Sequence, residues 1–109
     1  MAELEAERGS RALVERLADE NGEPVVQISG ELDLSNVDEM RRVVEPIVAE
    51  NPSRFVFELG ELQFMDSSAI TVFLQTAARV GRVELRDAGA TVRRIVEATG
   101  LTDILHLDP

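Results

Sequence analysis

Short runs of strand character alternate along this chain with segments whose apolar residues recur at helical spacing. Pro24-Val25-Val26-Gln27-Ile28-Ser29, Arg54-Phe55-Val56-Phe57-Glu58-Leu59 and Arg82-Val83-Glu84-Leu85-Arg86 are of the first kind, rich in β-branched and aromatic residues or alternating with period two. Val37, Met40, Val44, Ile47 and Val48 form a stripe of the second kind. So do Ile70, Phe73, Leu74, Ala77 and Ala78 and, later, Val92, Ile95 and Val96. Strands that alternate with helices pair in parallel through crossover connections, and a parallel sheet has to be covered. The pattern predicts an α/β domain: a mixed, mostly parallel sheet of four to five strands with helices packed against it. At 109 residues the chain holds one such domain.

The ends of these segments carry their own signals. Ala12 to Ala18 has a composition that suits a helix, but the turn-like Asp19-Glu20-Asn21-Gly22-Glu23 that follows favours an antiparallel strand pair. Gly30-Glu31-Leu32-Asp33 is expected to leave the second strand. Ser35 and Asp38 resemble a capping box, so a helix is expected from near Asn36. Pro46 within its stripe is expected to kink that helix or end it early. Gly81, as a C′ residue, and Gly100 are expected to close the next two helices. A short loop is expected after Leu59, and Ile104-Leu105-His106-Leu107 is expected to be a last short strand or a loose extension. Residues 1–10 read as an acidic tail and residues 11–109 as the folded domain.

Charge and composition exclude several classes of function. Eleven basic against twenty-one acidic residues give a net charge of −10, with no basic run to offset it, which excludes binding to a nucleic-acid backbone. The pairs Arg41-Arg42 and Arg93-Arg94 read as solvated helix faces. The absence of Cys removes disulfides and thiolate metal sites and agrees with a reducing cytoplasm. No apolar run approaches the ~18 residues of a membrane span, and the acidic N-terminus is unlike a signal peptide. A cytoplasmic protein is expected, with no metal or cofactor of its own and no membrane partner.

The residues with chemical potential stand between the third strand and the second helix, in Phe64-Met65-Asp66-Ser67-Ser68-Ala69-Ile70. Asp and Ser there cap the helix, because their oxygens accept from its first, otherwise unpaired N–H groups. Glu31, Asp33 and Asp66 can be assembled on paper into an acid–base or metal-binding group. A serine nucleophile, however, needs an activating base and an oxyanion site. The sole histidine is His106, no basic residue adjoins the serines, and Asp-Ser-Ser-Ala does not match the Gly-x-Ser-x-Gly elbow. Gly-rich phosphate loops are absent too. Catalysis is not expected. A serine at a helix start can instead accept a phosphoryl group, which there meets free N–H groups and the positive end of the dipole. A partner covering that helix start would then face a like charge in its interface.

Gly30-Glu31-Leu32-Asp33, Leu62-x-Phe64-Met65-Asp66-Ser67-Ser68, and Ala88-x-x-x-Val92-x-x-Ile95 with Gly100-Leu101 together resemble the STAS signature, and within it that of the anti-sigma factor antagonists. The resemblance covers roughly residues 12 to 107. It implies a STAS-type fold and a cycle of partner switching. The protein would bind an anti-sigma factor serine kinase of the GHKL type and release the sigma factor. Phosphorylation of Ser67 would break the complex, and a PP2C-type phosphatase would restore it. Asp33, Asp66 and Ser68 would share the partner-binding surface with Ser67, and the protein alone would be a monomer. Magnesium and ATP would belong to the kinase. The sequence departs from the family where Ala69 replaces the usual Gly, which is expected to stiffen the helix start, and where the chain ends at Pro109. Two other readings stay open: a STAS module in another assembly, such as a stress-sensing complex or a lipid-transport ABC complex, and a nucleotide-binding sensor, for which no phosphate loop speaks.

Overall fold

The computed structural model describes residues 11–108, so the expected acidic tail, residues 1–10, lies outside the described residues. The elements run β1 (Ala12–Arg16), β2 (Val25–Leu32), α1 (Val37–Val48), β3 (Phe55–Glu58), β4 (Leu62–Met65), α2 (Ser67–Arg79), β5 (Val83–Arg86), α3 (Ala90–Ala98) and β6 (Leu105–Asp108). The sheet has six strands in the order β1-β2-β3-β5-β6, with β4 paired to β2 beyond the end of β3. Only β1 is antiparallel. The mixed, mostly parallel α/β sheet is as expected, and the sixth strand is β4, in the stretch read as a loop.

β1 and β2 form the expected strand pair. Asn21 and Gly22 both take positive φ, 55° and 79°, at the tip of the connection, and Glu20 and Glu23 pair across it. That is the turn twist for which Asn-Gly is selected. β2 does not end at Gly30. It runs on to Leu32, paired with β3 as far as Gln27 and with β4 from Gly30, and the β4 pairing is irregular between Gly30 and Glu31. Gly30 adopts φ 88°, and a Cβ there would lie 2.0 Å from the Arg11 carbonyl oxygen. Only glycine fits at that bend.

Register puts alternate residues on two faces. Val26, Phe57, Leu85 and Leu107 form one transverse row, and Val25, Val56, Glu84 and His106 the next. The first row joins the core, where Met40, Val44 and Ile47 of α1, Phe73 of α2 and Val92 and Val96 of α3 pack over the sheet. Phe57 stacks on Phe55 and meets Phe73 edge-on. The second face is laced with ion pairs: Arg54 to Glu23 at 3.0 Å and to Glu84 at 2.6 Å, Arg82 to Glu84 at 2.7 Å, and Arg86 to Glu20 at 2.9 Å. His106 lies half-buried on that face.

The helices follow their stripes with three corrections. α1 buries the five expected residues and passes unbroken through Pro46, ending at Val48. Pro46 is exposed and stands in the last turn, so the carbonyl it leaves unpaired can meet water. α2 buries Val72 and Thr76 and leaves Ala78 exposed, a rotation of the expected stripe. Its end is made by extended Val80, φ −107°, and Gly81 has no positive φ, so Gly81 is not a left-handed C′ residue. Gly100, φ 72°, does close α3 in a Schellman arrangement: its N–H donates to Glu97 O and that of Leu101 to Val96 O.

Candidate functional site

The pairing of β4 with β2 delivers two loops side by side. Asp66 N–H donates to Leu32 O at 3.2 Å, so the chain leaving β4 stays beside the chain leaving β2. In the first loop the Asp33 carboxylate accepts the Ser35 N–H at 2.9 Å and the Ser35 hydroxyl at 2.5 Å. Asn36 is buried; its Oδ1 accepts the Asp33 N–H and its Nδ2 donates to Glu31 O, both at 2.9 Å. The expected capping box therefore does not form. Ser35 is held by Asp33, and the Asn36 side chain ties the loop to the end of β2, although α1 does begin right after Asn36.

In the second loop Asp66 is the N-cap of α2, with extended backbone at φ −116° and ψ −171°. One carboxylate oxygen accepts the Ser68 N–H at 2.9 Å and also the Ser68 hydroxyl; the other accepts the Leu34 N–H at 3.2 Å. The Ser68 hydroxyl, and after it the N–H groups of Ser68 and Leu34, hold the Asp66 carboxyl below its ordinary range against the opposing effect of burial. Asp66 is thus a carboxylate at neutral pH that joins both loops.

The two serines differ. Ser68 is half-buried with its hydroxyl engaged by Asp66, whereas Ser67 is exposed and its hydroxyl bonds to no described residue. The Ser67 carbonyl accepts the Thr71 hydroxyl one turn later at 3.2 Å. Ala69 is fully buried without a positive φ, so the residue that departs from the family pattern sits in ordinary helix and contributes a methyl to the core.

A shallow hollow of about 500 Å³ opens between the starts of α1 and α2. Its walls include Leu34, Asp38, Arg41 and Thr71 beside Asp66, Ser67 and Ser68. Of the residues singled out from the sequence, Asp66, Ser67 and Ser68 meet there. Asp33 lies in the adjoining loop, its carboxylate turned to Ser35, and does not line the hollow. Leu34, Asp38, Arg41 and Thr71 are not expected at the site from the sequence: Asp38 reads as part of a capping box and Arg41 as a solvated helix residue. Leu34, on the wall of the hollow, is 78% exposed. The Arg41-Arg42 pair divides: Arg42 is a solvated residue, while Arg41 is half-buried and lines this hollow as well as a second one further along α1 and α2. Its position one turn after Val37 was the available signal. Among the described residues no cluster of His, Asp or Glu has the makings of a metal site, and no helix is long and apolar enough to cross a membrane.

A six-stranded mixed sheet whose β2 and β4 present a capped serine pair beside a Gly-Glu-Leu-Asp loop defines a class. Residues 16–109 match the model of the STAS domain, and the chain belongs to that family. It is similar to the anti-sigma-B factor antagonist of Staphylococcus aureus, 30% identical over 87 residues that cover 76% of this chain and 81% of that protein. It is also similar to the anti-sigma-F factor antagonist RsfB of Mycobacterium tuberculosis, 28% identical over 94 residues, 84% of this chain and 77% of RsfB. A crystal structure of an anti-sigma factor antagonist from Mycobacterium paratuberculosis superposes with a TM-score of 0.83 at 25% identity, covering 93% of this chain and 87% of that one. The Bacillus cell fate determinant SpoIIAA in its phosphorylated form shares the fold, with a TM-score of 0.70 at 20% identity over 89% of this chain and 92% of its own.

Proposed function

We propose that this protein is a cytoplasmic anti-sigma factor antagonist, a binding protein and not an enzyme, switched off by phosphorylation of Ser67. Its partner is an anti-sigma factor serine kinase of the GHKL type, whose capture releases the sigma factor, and a PP2C-type phosphatase reverses the modification. The observation that carries this reading is the division of labour between the serines. Ser68 is held by Asp66, while the Ser67 hydroxyl stands exposed and unengaged at the positive end of α2. In the transfer the Ser67 oxygen bonds to the γ-phosphorus of ATP, the bond to the β-phosphate oxygen breaks, ADP leaves and the hydroxyl proton passes to solvent.

The names of the relatives support the antagonist role, and charge supplies the switch. A phosphoryl group adds about −1.5 to −2 charges beside Asp66 on a protein that already carries −10. In an interface that covers the start of α2, such a charge costs several kcal/mol, and each ~1.4 kcal/mol is tenfold in affinity. The test is a pull-down from the native extract with wild type, Ser67→Ala and Ser67→Asp as baits, read by mass spectrometry. A GHKL-type kinase held by wild type and Ser67→Ala and lost from Ser67→Asp supports the reading. Equal binding by all three removes the Ser67 switch, and capture of a charge-indifferent partner moves the protein to another STAS assembly.

A further inference from the structure

We propose that Arg41 is the counter-cation for a phosphoryl group on Ser67, holding the modified serine in the hollow between α1 and α2. The inference deepens the reading above and rests on Ser67 as the acceptor, but its test requires no kinase.

Arg41 and Ser67 line the same hollow from opposite helices. Arg41 is half-buried, yet its guanidinium makes no ion pair or hydrogen bond with any described residue. Arg16, Arg54, Arg79 and Arg86, by contrast, all reach carboxylates at 3.1 Å or less. Among the described residues Arg41 has no partner, although two carboxylates share its hollow. Asp66 is occupied by Ser68 and Leu34, and Asp38, on the same helix, is exposed and not paired with it.

A phosphorylated Ser67 supplies what the unmodified site lacks: a dianion with several acceptor oxygens, matched to the planar fork of a guanidinium. The groups facing that dianion oppose one another. Asp66 at the cap and Asp38 on α1 repel it, with Asp33 in the adjoining loop adding to the repulsion. Arg41 and the positive end of the α2 dipole attract it. Arg41 is the only cation among the described residues lining the hollow, so its side chain decides where the phosphate settles. The pairing also withdraws a positive group from the surface that a partner covers, so modification changes that surface twice: it adds a negative charge and occupies a positive one.

The experiment uses the full chain with phosphoserine placed at position 67 by genetic encoding and follows its second ionisation by phosphorus NMR. Relative to the unmutated chain, Arg41→Gln raises that pKa by about half a pH unit, the size expected of a partly exposed ion pair. Arg42→Gln, an equal change of charge on the exposed side of α1, leaves it unmoved. Identical titrations for the unmutated chain and Arg41→Gln, or an equal change in Arg42→Gln, overturn the inference. A readout without any substitution guards against a variant that does not fold. Introducing the phosphoryl group moves the Arg41 Nε–H resonance and leaves that of Arg42 in place, and an unmoved Arg41 resonance also overturns the inference. Failure of the kinase pull-down beside a positive result here would remove the kinase reading and leave the Arg41 pairing standing.

Discussion

The Asp66 carboxylate accepts the backbone N–H of Leu34 at 3.2 Å, although the two residues are separated by more than thirty positions in sequence. The same carboxylate caps α2 through Ser68. One side chain therefore fixes the start of the helix that carries Ser67 and the loop that forms the facing rim of the hollow. This coupling ties the two loops to one carboxylate. It also makes Asp66 a positioning group for both loops.

Replacing Asp66 should accordingly be felt in both loops. Asp66→Ala removes the cap and the tether and is expected to lower stability by about 1–2 kcal/mol. The local check is hydrogen exchange: the amides of Leu34 and Ser68 should both exchange faster, while those of β5 slow or speed only with global stability. Unchanged protection at Leu34 would show that the tether contributes nothing.

The two serines should separate cleanly by substitution. Ser68→Ala loses a hydroxyl bonded to Asp66 and is expected to cost about 1 kcal/mol. Ser67→Ala removes an unengaged surface hydroxyl and should stay within about 0.5 kcal/mol of wild type. Titration of the Asp66 carboxyl by NMR gives a second reading. Its pKa should rise in Ser68→Ala, since that hydroxyl is the largest influence lowering it, and stay in place in Ser67→Ala.

Glycine substitutions test the bend in β2. Gly30→Ala would drive a Cβ to 2.0 Å from Arg11 O at a φ of 88°, and is expected to destabilise by about 3 kcal/mol or more. Gly81→Ala carries no such conflict: φ is not positive and the nearest atom to its Cβ, Ser53 O, is 3.6 Å away. It should be neutral or stabilising by up to about 1 kcal/mol, through loss of freedom in the unfolded chain. Urea unfolding of the two variants decides both.

Glu84 gives the protein an acid-sensitive link on the face away from the helices. Arg54 first, and then Arg82, bring its carboxyl from 4.5 down to about 2 against the effect of burial. A depressed carboxyl stabilises the fold above its unfolded pKa, and the stabilisation drains away as pH falls from 4.5 towards 2. The full contribution is on the order of 3 kcal/mol. Glu84→Gln should lower stability by about 2–3 kcal/mol at pH 7, because it leaves Arg54 and Arg82 short of their shared partner, and the gap to wild type should narrow near pH 3. Urea midpoints across that range are the check; a gap that is independent of pH would assign the loss to packing.

Much of this architecture is legible along the chain because it depends on near neighbours. Helix stripes, the Asn21-Gly22 turn and the Gly100 stop are each written within a few residues, where spacing and allowed φ decide the outcome. Asp66 as a cap is written the same way. The capping box at Ser35 and the C′ role of Gly81 were equally local in form, and both fail because a neighbouring residue competes. Asp33 and the end of β2 take the side chains of Ser35 and Asn36, and Val80 ends α2 by turning into the core.

The sequence by itself determined the alternating α/β order, the single core and the presence of a capped serine pair at a helix start. Tertiary structure alone decided which serine has a hydroxyl that bonds to no described residue, and that Arg41 lines the same hollow as Ser67 while Arg42 is exposed. The reason lies in β4. Four residues with two exposed in the middle carry no readable period, and their strand exists because β2, bent at Gly30, offers backbone partners that β3 no longer takes. That long-range pairing brings Asp66 to Leu32 and Leu34 and, with them, sets the start of α2 against the start of α1.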